Sequence, residues 1–396
     1  MQGPLRITIP IHSLDPGGVE RVALGLASEW DRAGHQVTIV LGRSASANLC
    51  SAPPLNYWQI PTRLPTASWE TPWMIHCLLS YLLDHRSDVL FFPGNTYAVV
   101  GAAIKLLLGD HAPPMVLKVS NALNRPDMSP IMRRGYASWL RIQGNVFDRL
   151  VGLSEPMQRE ICSTTLAACQ RVPVIANPII TRKRLAHLAR IEHGPGSVWK
   201  THYLAAGRLV LQKNFAMLLR AFAHAARPHD ILTIAGEGPE RGPLEQLAAH
   251  LGIAQQVRFP GHLATIDPLL AQADVFVLSS DYEGLPGVVV EALAAGLPVL
   301  ATDCCVSMPC LLDEGRTGLL VQRGDEQQFS RGLVRIRQFQ PDRARARAIA
   351  ATYEVEGAAH RYLEMMAELS RSHRRATERK RTLDVMSPRA TRHPLR

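Results

Sequence analysis

Twice along this chain a short apolar run is followed by a turn and then by a helical stripe, and that repeated alternation restricts the fold more than any other feature. Residues 5–11 form a strand candidate, closed by the turn Asp15, Pro16, Gly17 and Gly18. Val19, Val22, Ala23, Leu26, Ala27 and Trp30 then fall at i, i+3, i+4, i+7, i+8 and i+11, one face of an amphipathic helix. Gly34 stops it, and residues 37–41 supply a second strand. Further candidates at 57–60, 88–92, 115–119, 149–153 and 172–175 have helical segments between most of them. The pattern restarts with a strand at 203–206, a loop at 207–214 and a stripe of Phe215, Leu218, Leu219, Phe222, Ala223 and Ala226 at the same spacing. Strands follow at 231–235, 257–259, 275–278, 299–301 and 319–321.

Strands alternating with helices imply βαβ units and parallel sheets, which bind ligands at the carboxyl ends of their strands. A chain of 396 residues has room for two such domains. The reading is α/β, with two Rossmann-like domains facing a central cleft. The first spans 1–180, and a basic, polar linker with two glycines and a proline spans 181–198. The second domain spans 199–350, a helix at 351–370 follows, and a basic tail read as disordered covers 371–396. That tail carries +7 of the chain's formal charge of +10, so the folded body is close to neutral. Its arginines have no interleaved aromatics, which argues against stacking on nucleic acid and leaves an anionic membrane surface as a possible partner.

Seven cysteines form an odd set, and the N-terminus lacks the apolar run of a signal peptide, which points to a reduced, cytoplasmic setting. The one long apolar stretch, 89–108, is interrupted by Pro93, Gly94, Asn95 and Lys105 and reads as strand, turn and helix, not as a membrane span. A soluble or peripheral protein follows, on the cytoplasmic face if peripheral.

The densest chemistry lies in 279–303, SSDYEGLPGVVVEALAAGLPVLATD. A Gly/Pro turn opens a helix near Gly287, and the first amides of a helix have no internal partner and favour an anion. Glu283 in the turn and Glu291 about one turn inside the helix suit hydroxyls carried by that anion. The loop 207–214 places Arg208 and Lys213 at another strand end; arginine offers a bidentate fork to phosphate and lysine a point charge. A departing diphosphate must be neutralised, often by a metal held on two aspartates one residue apart. This chain has no aspartates at that spacing, so Arg208, Lys213 and the helix N-terminus are the substitute.

GRLVLQKN, AGEGPERGPLEQLA and SSDYEGLPGVVVEALAAGLPVLATD together resemble the nucleotide-sugar domain of retaining family 4 glycosyltransferases, which have the glycosyltransferase B fold. GGVERVALGLASEWDRAGHQVTIV and DRLVGLSEPMQRE are similar to that family's first domain, and VIANPI to its linker entry. The resemblance covers 5–370 and is strongest over 203–303. It implies that Arg208 and Lys213 hold the donor diphosphate and that Glu291 bonds the ribose. It further implies that Glu283, with backbone at Leu285, Gly287 and Val288, meets sugar and phosphates, and that Gly17 and Gly18 admit the donor to the first domain. It implies transfer of a sugar from a UDP- or GDP-sugar to a saccharide or lipid-linked acceptor, with retention, no bound metal and no cofactor, in cell-surface polysaccharide or glycolipid synthesis. Many relatives carry a histidine after the strand at 115–119; here Ser120 and Asn121 stand there, with Asn121 the candidate and His12 a spare.

Two rivals are kept. One is a nucleotide-sugar epimerase or hydrolase of the same fold, and the other a catalytically silent sugar-nucleotide-binding protein. Gly236, Gly238 and Gly242 imitate a dinucleotide fingerprint, but the third glycine comes one residue late and Pro239 and Pro243 interrupt the helix start. Cys304, Cys305 and Cys310 lack metal-ligand spacing and read as buried thiols.

Overall fold

The computed structural model describes residues 3–15, 18–43, 52–62, 66–120, 123, 128–193 and 199–386. The first unit holds strands β1 (Arg6–Ile11), β2 (Gln36–Leu41), β3 (Asn56–Gln59), β4 (Val89–Phe92), β5 (Met115–Lys118) and β6 (Arg149–Val151). Its helices are α1 (Gly18–Arg32), α2 (Glu70–Asp84), α3 (Ala98–Leu108), α4 (Pro130–Val146) and α5 (Glu155–Thr165), followed by α6 (Arg182–Leu188). The second unit holds β7 (His202–Ala206), β8 (Ile231–Ala235), β9 (Val257–Arg258), β10 (Val275–Leu278), β11 (Val299–Thr302) and β12 (Gly318–Val321). Its helices are α7 (Phe215–Ala225), α8 (Arg241–His250), α9 (Asp267–Gln272), α10 (Gly287–Ala295), α11 (Met308–Leu311), α12 (Glu326–Arg335) and α13 (Arg343–Ala351), and α14 (Val355–Met386) ends the described chain.

Both sheets are parallel and share one strand order. The first runs β3-β2-β1-β4-β5-β6 and the second β9-β8-β7-β10-β11-β12. Each therefore reverses direction at one place, between β1 and β4 and between β7 and β10. Loops leaving those adjacent strands on opposite faces open a crevice there.

The helical stripes bury as their spacing requires. Val22, Ala23, Leu26, Ala27 and Trp30 of α1 are buried, as are Phe215, Leu218, Leu219 and Phe222 of α7. Strand residues such as Ile7, Ile9 and Ile11 or Phe276 and Val277 are enclosed on both sheet faces, which is why the strands read as continuous apolar runs.

Three sequence readings need correction. The run 172–175 makes only a single bridge, Gly152 to Val174, because Pro173 has no N–H to extend a ladder. The linker contains α6, whose N-cap Thr181 side chain accepts from the Arg184 amide. The tail is helical through Met386: residues 371–386 hold no Pro or Gly, and Arg, Ala, Glu and Lys are strong helix formers. Trp30 Nε1 donates to the Ala359 carbonyl at 3.0 Å, and Tyr362 packs edge-on against Trp30 and Phe91, so α14 lies along α1. Farther along, Arg374 donates to Asp88 at 2.6 Å, beside Arg6 at 2.8 Å. Against the upward push of burial, these two guanidiniums hold Asp88 down to about 2.

Cys162 and Cys169 form a disulfide, Cα–Cα 5.6 Å, which the odd count did not reveal. Cys304 and Cys305 are buried free thiols, while Cys310 is exposed. No helix among the described residues is long and apolar enough to cross a membrane.

Candidate active site

The two cationic and acidic loops of the second unit leave β7 and β10, the strands flanking its switch point. Gly207 ends β7 at φ +156°, and its missing side chain leaves room for the Lys213 stem, whose Cε lies 3.1 Å from where a Cβ would stand. Asn214 adopts the left-handed conformation (φ +47°) and caps α7 through the Met217 amide, ending the loop sharply. The loops are joined along their length. Asp281 N–H donates to the Gln212 carbonyl at 2.9 Å, Gln212 Nε2 to Tyr282 O at 2.7 Å, Asn214 Nδ2 to Asp281 Oδ1 at 2.9 Å and Ser279 Oγ to Lys213 O at 2.8 Å.

At the centre of this seam the Lys213 ammonium is ion-paired with Glu283 Oε1, which also accepts from Ser280 Oγ at 2.8 Å. Both partners are mostly buried, with side-chain exposures of 16% and 12%. Arg208, one residue past Gly207, is exposed, and its side chain has no hydrogen bond or ion pair among the described residues. The glutamate thus fixes one cation in place while the other stands exposed.

The turn after Glu283 delivers α10. Leu285 is buried, no side chain caps the helix among the described residues, and the first turn closes only where Val289 N–H reaches Pro286 O at 3.0 Å. The amides of Gly287 and Val288 therefore keep the unmet polarity of a helix start. One turn on, Glu291 is buried and receives Arg184 Nε of α6 at 3.4 Å. The same guanidinium binds Asp267 at 2.8 Å, and His187 approaches that carboxylate at 3.2 Å. Burial raises Asp267, but the Thr265 hydroxyl and Arg184 outweigh it and hold the carboxyl below its ordinary value.

The first unit also lies against this end of the second. A Cβ on Gly287 would lie 3.2 Å from Ile179 and 3.6 Å from the Arg21 guanidinium of α1. Ser154, the cap of α5, bonds Ser307 of the second unit through their hydroxyls at 2.7 Å. Around the first switch point, Ser120 N–H donates to Asn95 Oδ1 at 2.6 Å and Ser120 Oγ to Pro93 O at 3.1 Å. Lys118, fully enclosed, donates to Ser120 Oγ at 3.2 Å. His12 stacks on Tyr97 with centroids 4.6 Å apart, and the Tyr97 hydroxyl donates to Glu20 at 3.3 Å. Its Nδ1 is buried without a partner among the described residues, and burial lowers its pKa.

Two family models match this chain: Glycosyltransferase Family 4 over residues 16–183 and Glycosyl transferases group 1 over residues 200–338. The chain belongs to the group 1, family 4 glycosyltransferases. A lipopolysaccharide core biosynthesis glycosyltransferase of Rhizobium meliloti, LpsE, is 38% identical over 133 residues, 34% of this chain and 38% of that protein. A second from the same organism, LpsD, is 34% identical over 131 residues, 33% of this chain and 37% of that protein. The chain thus matches well under half the length of these two relatives. The whole fold is shared with Anabaena Alr3699/HepE in complex with UDP-glucose, at TM-score 0.72, 18% identity and coverage of 92% and 100% of the two chains. It is also shared with the lipopolysaccharide outer core galactosyltransferase WaaB, at TM-score 0.69, 15% identity and coverage of 92% and 99%.

In this family 4 chain, the structure brings Arg208, Lys213, Glu283, Leu285, Gly287, Val288 and Glu291 to one switch point. Gly18 opens α1, and a Cβ there would meet nothing within 4 Å, so no protein contact requires a glycine. Gly17 and Asn121 lie outside the described residues.

Sequence reasoning missed three features. Arg21, a first-unit cation at the start of α10, sits on the exposed edge of a helix stripe and carries no signal of its own. Gly94 stands out in the sequence only as an interruption of the apolar run 89–108, yet a Cβ there would meet Val19 at 3.0 Å and Ser120 Oγ at 3.3 Å. Gly236 and Gly238, set aside as a false fingerprint, let the loop after β8 close on the Arg208 loop: Cβ atoms would fall 1.9 Å from Gly207 O and 2.3 Å from Leu209 O. Their φ values of +146° and +159° favour glycine independently.

Lys118 gives a pH prediction. Burial pushes its pKa down from 10.5 to about 7, partly offset by Glu20. Between those values the unfolded chain holds a proton that the folded chain has released, so stability rises with pH. From pH 7 to pH 9 this contributes about 1–3 kcal/mol. Urea unfolding at both pH values should show the rise in the wild type and its loss in Lys118→Met; equal slopes would contradict the assignment.

Proposed function

We propose that the protein is a retaining, metal-independent glycosyltransferase that moves a sugar from a UDP- or GDP-sugar to a saccharide or lipid-linked acceptor in cell-surface polysaccharide or glycolipid synthesis. The observation that carries this reading is the buried Lys213–Glu283 pair beside the uncapped start of α10. It holds a cation and open amides at one switch point, where charge accumulates on a departing diphosphate.

In this reading Lys213, Arg208 and the Gly287 and Val288 amides bind the diphosphate, and Glu291, steadied by Arg184, takes the ribose hydroxyls. Glu283, ion-paired with Lys213, accepts from hydroxyls of the sugar. The bond from the anomeric carbon to the diphosphate oxygen breaks, and the acceptor oxygen bonds that carbon on the same face. The acceptor proton passes to the departing phosphate oxygen. Arg21 of the first unit, beside Gly287, adds positive charge there. The names of the relatives, lipopolysaccharide core enzymes and a protein solved with UDP-glucose, support the substrate class.

The test is nucleoside diphosphate release from UDP- and GDP-sugars with a chelator present, with and without lipid-linked acceptors, followed by NMR of the product anomer. Acceptor-dependent release with the donor's anomeric configuration is expected. Release without acceptor would select the epimerase or hydrolase, and donor binding with no transfer to any acceptor would select the silent binding protein.

A further inference from the structure

Between β11 and α11 the chain carries two neighbouring cysteines with no part in the chemistry above. Cys304 and Cys305 are free thiols, 5% and 8% exposed. Their loop is stitched to the site on one side and to the first unit on the other. Glu283 N–H donates to the Cys304 carbonyl at 3.1 Å, Cys304 N–H turns back to Thr302 O at 2.8 Å, and the Thr302 hydroxyl donates to Ser280 O at 2.6 Å. In the same loop, Ser307 bonds Ser154 of α5 through their hydroxyls at 2.7 Å.

The two sulfurs are unequal. The Cys304 thiol donates to Cys305, and that bond, followed by burial, pushes its pKa up. Cys305 receives the same hydrogen bond and others from the Ser307 and Met308 amides, which outweigh burial and bring its pKa down. A thiolate attacks where a thiol does not, so Cys305 is the nucleophile and Cys304 the resolving thiol beside it. Near-enclosure selects a small oxidant, hydrogen peroxide, over a bulky disulfide.

We infer that Cys304 and Cys305 are a peroxide-sensitive modification site whose closure to a disulfide withdraws the Cys304 carbonyl from Glu283. The Cys305 sulfur attacks one peroxide oxygen, the O–O bond breaks, and the departing hydroxide takes a proton to become water. The Cys304 sulfur then attacks the Cys305 sulfenic acid; the S–O bond breaks, and a second water leaves with the Cys304 proton. Two thiols and one peroxide thus give a disulfide and two waters. Neighbouring Cα atoms stand about 3.8 Å apart across a trans peptide, less than the about 4.4–6.8 Å that a disulfide spans, so closure must twist the peptide between them. The carbonyl bonded to Glu283 belongs to that peptide. The loss of donor turnover that follows rests on the proposed function; the bridge and the released amide do not.

The experiment treats the full chain with hydrogen peroxide and maps its peptides by tandem mass spectrometry, with fragmentation between Cys305 and Cys310. Hydrogen exchange of the Glu283 segment and donor turnover are read on the same samples. The fragment bearing Cys304 and Cys305 should lose the mass of two hydrogens. The Glu283 amide should exchange at least about tenfold faster, and turnover should fall at least about tenfold. Dithiothreitol should reverse all three changes. Cys305→Ala should show none of them on peroxide treatment, and Cys310→Ser should show every one. A bridge from Cys310 to either neighbour, a sulfinic acid at Cys305 in place of a bridge, or a bridge that leaves the Glu283 amide protected would each overturn the inference. Mass and exchange need no donor: a reduced protein that turns over no donor fails the transferase reading, while the bridge and the faster exchange still stand.

Discussion

Lys213→Ala should lower kcat/KM for the sugar-nucleotide donor by roughly a hundredfold or more, the scale on which removing one preorganised charge donor acts. The same change leaves Glu283 largely enclosed, with Ser280 as its remaining side-chain partner. Stability should therefore fall as well, on the order of 3 kcal/mol, because an orphaned buried charge costs more than the pair contributes. Combining Lys213→Met with Glu283→Gln separates the two effects. The double variant removes both charges, so stability should largely return while turnover stays low. If activity returned along with stability, Lys213 would be only a structural partner of Glu283. Denaturant unfolding beside steady-state kinetics of the three proteins decides the matter.

Glu291→Ala should raise the donor KM at least about tenfold, since a buried charge-assisted hydrogen bond is worth roughly 1.5–3 kcal/mol. Its structural cost should be smaller than that of Lys213→Ala, because Arg184 keeps Asp267 as a partner at 2.8 Å when Glu291 is lost. Arg184→Ala should also raise KM, through the loss of a clamp on Glu291, and should leave kcat nearer the wild type. A Glu291→Ala enzyme with unchanged KM would remove this residue from the nucleotide site.

The fold was legible because its signals are local and periodic. Five of the six residues at helical spacing form the buried face of α1, and the same spacing marked α7; continuous apolar runs marked strands enclosed on both faces. The shared strand order of the two sheets was not written in any one segment, but it follows once each half repeats the same alternation. At the site, the residue types of Arg208, Lys213, Glu283 and Glu291 showed their chemistry, while the pairing of Lys213 with Glu283 spans 70 positions and leaves no local trace. Arg184 was hidden for the same reason, inside a stretch whose composition spoke for a linker.

Two misreadings have physical causes. Net charge marked 371–396 as disordered, yet helix propensity and the Arg374–Asp88 bond carry α14 through Met386. Gly236 and Gly238 were judged against the wrong pattern. Their role is the close approach of two backbones, Gly207 and Leu209, which spacing rules for a dinucleotide loop do not describe.

In the proposed function the switch point between β7 and β10 binds a nucleoside diphosphate through protein groups alone. Calorimetric titration of UDP and of GDP into chelator-treated protein tests it most directly, with Lys213→Ala and Glu291→Ala alongside. Single-site binding of one of the two nucleotides is expected with chelator present, weakened at least about tenfold in each variant. Binding that appears only on adding a divalent cation, or that ignores both substitutions, would contradict it.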